Sequence, residues 1–209
     1  MSREPSAPSV NPLRFCEQLY SIVVGLGLAL AAEQVVDLSK SGVPVVWERV
    51  PLFVAFLTIA FPYAHGAVRY IDLVYVEGRL GPIPPARAIA DVLFDGVRMW
   101  WLIALSFFVS RPLVFGYVLI FLLLSGSSRV AIARLTGTRT HSRLERNLDR
   151  VNGIMLIATA LIVVIAQLGF EGSTEDSVAR IGVLAASLGY PLAFYVSSFR
   201  YFFAGANER

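Results

Sequence analysis

This sequence of 209 residues has little lysine, cysteine and histidine, and each scarcity excludes a class of protein. Lys40 is the only lysine and lies outside the apolar runs, which excludes a retinal protein with a Schiff base inside a helix. Cys16 is the only cysteine, which excludes an internal disulfide framework and a cysteine-based metal cluster. His65 and His141 are too far apart for the His-Glu-x-x-His pattern of a zinc protease.

Long polar stretches are also rare, and the apolar residues form six runs that are each about long enough to cross a bilayer. We therefore predict an all-α fold, a polytopic transmembrane helical bundle with six spans. One domain of about residues 17–204 holds the spans, with short cytoplasmic tails at about 1–16 and about 205–209. The spans are predicted at about residues 17–36, 50–70, 88–110, 112–133, 151–170 and 180–203.

Prolines and loop lengths locate several helix ends. Pro51 and Pro85 stand where the second and third spans begin, since the first turn of a helix tolerates the missing N–H of proline. The third span ends near Ser110, and only Arg111 separates it from Pro112 at the start of the fourth. This spacing predicts a tight antiparallel hairpin.

Charge distribution predicts the orientation. The segment before the fifth span is rich in arginine, whereas residues 171–177 are acidic, so the basic segment is predicted to be cytoplasmic, with both termini. The preference for arginine over lysine suggests a GC-rich, bacterial coding background, and we expect a multi-pass protein of the bacterial inner membrane. A cleaved signal peptide ending near Ala29–Ala31 is the competing interpretation of the first apolar run.

The third span carries the most ionisable residues. Asp91, Asp95 and Arg98 are spaced i, i+4, i+7, which places them on one face of a helix with Asp95 within reach of Arg98. Such groups are costly in a bilayer and indicate function. They predict either a polar cavity or ion path, or a structural salt bridge that locks the helix against a neighbour.

The second and sixth spans each contain a proline, Pro62 and Pro191, and we expect a kink in both. Each proline frees the carbonyl group four residues earlier, at Thr58 and Ser187, and paired interruptions of this kind mark binding sites in transporters. His65 follows Pro62 closely and can change charge near neutral pH, so it is a candidate proton group. Ordinary packing is the alternative for all five residues.

The basic segment has two interpretations. Arg134, Arg139, Arg143 and Arg146 are candidates for contact with anionic lipid headgroups, or they serve only to fix the topology. Glu145 and Asp149 alternate with arginines, which predicts a short amphipathic helix leading into the fifth span. Asn152, expected at the start of that span, should face headgroups and water.

These features favour a small channel or transporter for an ion or small solute, acting as a homo-oligomer. The alternative is a non-transporting scaffold, assembly factor or subunit of a larger membrane complex. A water-accessible cavity reaching Asp95 would favour transport, and a dry face closed by Arg98 would favour the alternative. No enzyme activity, cofactor, metal or nucleic-acid partner is expected, because no nucleophile signature or glycine-rich phosphate cradle is present.

Overall fold

The fold is seen in a computed structural model, described for residues 12–72 except 38, 40, 41 and 43, and for residues 85–135 and 143–197. These ranges contain six α-helices and no β-strand, so the predicted all-α fold is confirmed. The helices are α1 (Pro12–Val35), α2 (Val50–Ile71), α3 (Pro85–Phe107), α4 (Pro112–Leu135), α5 (Arg143–Gly169) and α6 (Ser173–Ser197).

Four helices, α1, α3, α5 and α6, begin earlier than their predicted spans. The helix α5 already starts at Arg143, which confirms a helical lead-in to the fifth apolar run, and α1 starts at Pro12. Most of the acidic segment predicted as a loop forms the first turn of α6, where Glu175 and Asp176 favour the positive end of the helix dipole. An apolar run marks where a helix can meet lipid, not where the helix starts.

Four helices in the described part of the chain are long and apolar enough to cross a membrane: Gln18–Val35, Trp47–Ile71, Asp149–Gly169 and Ser173–Ser197. A shorter apolar stretch, Pro112–Ser127, lies in α4. The helix α3 is less apolar because it carries the charges of Asp91, Asp95 and Arg98. The helices are thus compatible with a membrane location, whereas the number of six spans stays a prediction.

The outward faces of the helices support a membrane location. A water-soluble monomer rarely exposes large contiguous apolar patches, whereas lipid accepts them. Large apolar side chains are exposed on at least four of the helices: Ile22, Leu93, Trp100, Leu161 and Leu192.

The helices run up and down through the bundle. The end where α1 begins, here the proximal end, also holds the end of α2, the start of α3 and the start of α5. This order follows from contacts between helices, such as the hydrogen bond of Tyr70, late in α2, to Asp91, early in α3. At the opposite, distal end, the Ser110 hydroxyl lies 3.1 Å from Gln34 Oε1.

The connection between α3 and α4 is the predicted tight hairpin. It consists of residues 108–111, and the backbone N–H of Arg111 donates to the carbonyl of Phe108 at 2.9 Å. The two helices pack against each other along the bundle. This turn sets the charged face of α3 against the second half of α4.

The distal half of the bundle has an apolar core. Glycines allow close approach there: an added Cβ at Gly116 would lie 2.6 Å from Val163, and one at Gly27 would lie 3.0 Å from the Phe56 ring. Polar groups consequently concentrate at the other end. The fully buried core side chains include Leu52, Phe56, Ile59, Leu105, Phe115 and Leu119.

Candidate functional site

The predicted charged face of α3 points into the bundle. Asp91, Asp95 and Arg98 are only 3%, 1% and 2% exposed. Arg98 Nη1 lies 2.7 Å from Asp95 Oδ1, so the predicted pairing within the helix is confirmed. A charge pair this deep is stable only when further hydrogen bonds satisfy its remaining polar atoms.

Tyrosines from the two neighbouring helices donate hydrogen bonds to the two carboxylates. The Tyr20 hydroxyl of α1 donates to Asp95 Oδ1 at 3.2 Å. The Tyr70 hydroxyl of α2 donates to Asp91 Oδ2 at 3.0 Å. Both tyrosines are buried, so each provides a large apolar ring with one hydroxyl aimed at an acid.

The second terminal nitrogen of Arg98 donates to the backbone of α4. Arg98 Nη2 donates to the carbonyl oxygens of Ser125 at 3.2 Å and Gly126 at 3.4 Å. Arg98 Nε donates to no acceptor among the described residues. One turn earlier in α4, the Tyr63 hydroxyl of α2 donates to the Leu122 carbonyl at 3.1 Å. Three carbonyl groups of α4 thus accept bonds from other helices.

At Gly126 of α4, side chains of α2 and α5 approach the backbone closely. A Cβ added there would lie 2.5 Å from the Tyr63 hydroxyl and 3.0 Å from Asn152 Nδ2. Asn152 in turn accepts a hydrogen bond from the Tyr190 hydroxyl of α6 at 3.0 Å. The expectation that Asn152 faces headgroups is therefore wrong: α5 begins several residues earlier, which carries Asn152 into the bundle, where it is buried.

Together these groups form one polar layer at the proximal end, to which every helix contributes. Each contact joins two helices or, for the Asp95 and Arg98 pair, two turns of α3, so the layer links all six helices. Its chemistry is a buried charge pair and a second carboxylate, surrounded by hydroxyl, amide and carbonyl oxygens. The polar layer consists of Tyr20, Tyr63, Tyr70, Asp91, Asp95, Arg98, Asn152, Tyr190 and the carbonyls of Leu122, Ser125 and Gly126.

Pro62 and Pro191 lie inside α2 and α6, as predicted from the sequence. These two helices pack against each other. The Thr58 hydroxyl donates to the Ala55 carbonyl of its own helix at 2.9 Å. The Ser187 hydroxyl likewise donates to carbonyls of its own helix, those of Val183 and Leu184. Both hydroxyls are engaged locally, and a liganding role for the freed carbonyls stays a prediction.

Each proline directly adjoins a tyrosine of the polar layer. Tyr63 follows Pro62, and Tyr190 precedes Pro191. A change in the bend at either proline would therefore move a hydroxyl of the layer. The prolines are connected to the candidate site through these aromatic neighbours.

His65 occupies a different place. Its side chain is exposed on the surface of the bundle, with Nδ1 3.2 Å from the Tyr195 hydroxyl of α6. The two rings are tilted, with centroids 5.8 Å apart. His65 therefore joins α2 to α6 outside the buried polar layer, and its proton-carrying role stays a prediction.

Three of the four candidates for lipid contact lie among the described residues, at the proximal end of the bundle. Arg134 lies in α4, and Arg143 and Arg146 lie in the first turns of α5. Arg139 lies outside the described residues. Contact of these arginines with anionic lipid stays a prediction.

Sequence reasoning missed the partners of the charged face. Four tyrosines and one asparagine of the layer were not candidates. Tyr63 and Tyr190 lie well inside apolar runs, which is a signal because interfacial tyrosines belong near span ends. Tyr20 and Tyr70, in contrast, lie near the ends of their predicted spans and carry no such signal. The backbone acceptors of α4 carry no sequence signal at all. The missed side chains are Tyr20, Tyr63, Tyr70, Tyr190 and Asn152.

Comparison of this chain with protein-family models, curated proteins and solved structures finds no match. Function is therefore argued from the polar layer itself.

Proposed function

We propose that the chain is a small channel or transporter of the bacterial inner membrane for an ion or small solute. The observation that supports this proposal is the polar layer, in which the ionisable side chains of α3 are surrounded by polar groups from all the other helices. A charged residue at the centre of a span costs about 2.5–3.5 kcal/mol on insertion scales. Residues this costly face the interior of membrane bundles and mark ion and substrate pathways.

The proline helices supply a way to open the layer. Because Pro62 and Pro191 adjoin Tyr63 and Tyr190, bending of α2 or α6 at these points would withdraw a hydroxyl from the centre of the bundle. Interrupted helices at a central site are common in transporters. The described conformation is then the closed state, with Asp95 sealed from water.

The alternative function, a non-transporting scaffold or subunit of a larger complex, also has an observation in its favour. Asp95 and Arg98 are almost completely buried and bonded to each other, which is the dry face closed by Arg98 that was expected to favour this alternative and that a structural lock requires. In this case the polar layer specifies how the helices pack and never opens.

Flux measurement separates the two functions. Purified protein in liposomes is tested separately for uptake of K⁺, Na⁺, Cl⁻ and H⁺, beside the folded double variant Asp95→Asn with Arg98→Gln. We expect flux of one ion in the native protein and its loss in the double variant. Absence of flux for all four ions would favour the scaffold or an organic substrate, and equal flux in both proteins would remove the polar layer from the pathway.

Orientation is tested with reporters. A reporter fused after Arg209 and one inserted near Gly137 are both expected in the cytoplasm, and a tag within residues 171–177 is expected outside. External labelling of the Gly137 insertion would contradict the six-span topology.

A further inference from the structure

We infer that Asp95 Oδ1 and the carbonyl oxygens of Ser125 and Gly126 form a site for a monovalent alkali cation, which Arg98 of the same chain fills in the closed state. The three oxygens converge on one guanidinium, at 2.7, 3.2 and 3.4 Å from its two terminal nitrogens. Arg98 is thus a tethered cation bound in a pocket of oxygen atoms.

The oxygen set fits a metal cation as well as a guanidinium. Carboxylate and backbone carbonyl oxygens are the ligands that hard cations take in proteins, and rings of carbonyls replace the hydration shell of K⁺ in channels. The Tyr20 hydroxyl, 3.2 Å from Asp95 Oδ1, adds a fourth oxygen beside the site. Ligands from α1, α3 and α4 would then surround the ion.

Charge selects a monovalent ion. Guanidinium carries one positive charge, so exchange for Na⁺ or K⁺ leaves the charge of the buried site unchanged. Asp95 is the only charged group among the three proposed ligands, so a divalent cation would leave one positive charge that its own ligands do not compensate, which is costly in a region of low dielectric.

The hydrogen bonds that hold Arg98 differ in strength, which makes exchange of its guanidinium for a metal cation feasible. Only the Nη1 contact has the short distance of a charge-assisted hydrogen bond. Both Nη2 contacts are at or beyond the long end of the usual range, and Nε donates to no acceptor among the described residues. A movement that turns the side chain away would break one strong bond and vacate all three oxygens.

This inference rests on the proposed function, which it deepens by naming an alkali cation as the transported ion and Arg98 as its tethered competitor. A cation entering from water would take the place of the guanidinium when the layer opens. Return of Arg98 would expel the ion and close the site.

Removing the tethered cation tests the site without any measurement of transport. The Arg98→Ala variant, purified in detergent, is heated in choline chloride and in increasing KCl, NaCl or guanidinium chloride at constant ionic strength. We expect a saturable rise in Tm of several degrees with guanidinium and with at least one alkali ion, because a ligand that binds only the folded state stabilises it. Urea, a neutral molecule of similar shape, should give no rise.

Three controls isolate the oxygen site. The native protein should show no cation-dependent rise, because Arg98 fills the site. The double variant Asp95→Asn with Arg98→Ala lacks the carboxylate and should lose the rise. Arg49→Ala is a matched arginine removal at the distal end, where Arg49 donates to the Gln34 carbonyl at 2.7 Å, and it too should show none.

The outcomes separate this site from the proposed function. A Tm that ignores cations in Arg98→Ala, or a variant that stays unfolded even when extracted with guanidinium present, would overturn the cation site. A cation-dependent Tm in Arg98→Ala without alkali-ion flux in the native protein would keep the site and overturn alkali-ion transport, leaving the scaffold or an organic substrate. Alkali-ion flux in the native protein without a cation-dependent Tm in the variant would keep transport and place the ion elsewhere.

Discussion

The proximal and distal halves of the bundle are held together in different ways. At the proximal end the helices meet through hydrogen bonds between named partners, centred on Asp95, Arg98 and Gly126. In the distal half they meet mainly through apolar side chains and glycines, as at Gly116 against Val163, with hydrogen bonds such as Ser110 to Gln34 near the helix ends. Lipid is as apolar as the core, so dispersion and close approach, not the hydrophobic effect, must hold the distal half. The polar half fixes which groups meet, and the apolar half fixes how closely the helices pack.

The largest effect is expected from breaking the charge pair. Asp95→Asn leaves Arg98 buried with a neutral partner and should destabilise the protein by about 3–5 kcal/mol. The double variant Asp95→Asn with Arg98→Gln removes both charges and should recover more than half of that loss. Thermal unfolding and folded yield in detergent measure both effects.

Glu33→Gln is the matched control, because Glu33 is an exposed carboxylate of α1, and its stability should hardly change. Equal loss in the single and double variants would show that Asp95 and Arg98 do not act as a pair.

The next effect comes from crowding the polar layer. Gly126→Ala would place a methyl group 2.5 Å from the Tyr63 hydroxyl, and overpacking of this kind costs about 1–3 kcal/mol. Gly96→Ala is the control within α3, since no atom lies within 4 Å of the added Cβ. It should be neutral or stabilise by up to about 1 kcal/mol, because alanine favours helix. Equal losses of unfolding free energy in chemical denaturation would show that crowding at Gly126 is not the cause.

A smaller effect is expected from one hydroxyl. Tyr190→Phe removes the bond to Asn152 and leaves a buried amide oxygen without that donor, at a cost of about 1 kcal/mol. Tyr117→Phe removes an exposed bond of 2.6 Å to Gln167 near the distal end and should cost less. The difference in Tm between the two variants measures the value of burial. A larger loss for Tyr117→Phe would reverse the comparison.

The smallest effect on stability is expected at the prolines. Pro62→Ala and Pro191→Ala each restore a backbone donor, so folding should hold or improve. Flux should nevertheless fall, because a straighter helix shifts the adjoining Tyr63 or Tyr190 relative to the layer. Loss of stability with retained flux would show that the prolines serve packing alone.

Much of the fold was predictable because membranes impose strong patterns. The apolar runs gave six helices, and the single residue between Ser110 and Pro112 gave the α3–α4 hairpin. The spacing of Asp91, Asp95 and Arg98 predicted that they share one face of α3 and that Asp95 pairs with Arg98, since helical periodicity determines both. Helix starts were less predictable: α1 begins at Pro12 and α6 at Ser173, among residues that hydropathy assigns to a tail and a loop.

The surroundings of the pair were not predictable from local pattern. Asp95 meets Tyr20 from a position 75 residues away, and such contacts depend on how the helices are arranged. The acceptors at Ser125 and Gly126 are backbone carbonyls, which every residue has, so no residue type in the sequence indicates them. Asn152 was misplaced because its depth depends on where α5 begins.

In the predicted six-span topology, the turn at residues 108–111 would couple the membrane insertion of α3 to that of α4. Alone, α3 is a poor candidate for leaving the translocation machinery sideways into lipid, because its charges oppose transfer. Held against the apolar stretch Pro112–Ser127, it can enter as a hairpin with its charges turned toward its partner. Arg98 would then reach the carbonyls of Ser125 and Gly126 as soon as the hairpin forms. In this topology the order of synthesis would shelter the charge pair from lipid before α5 and α6 are added.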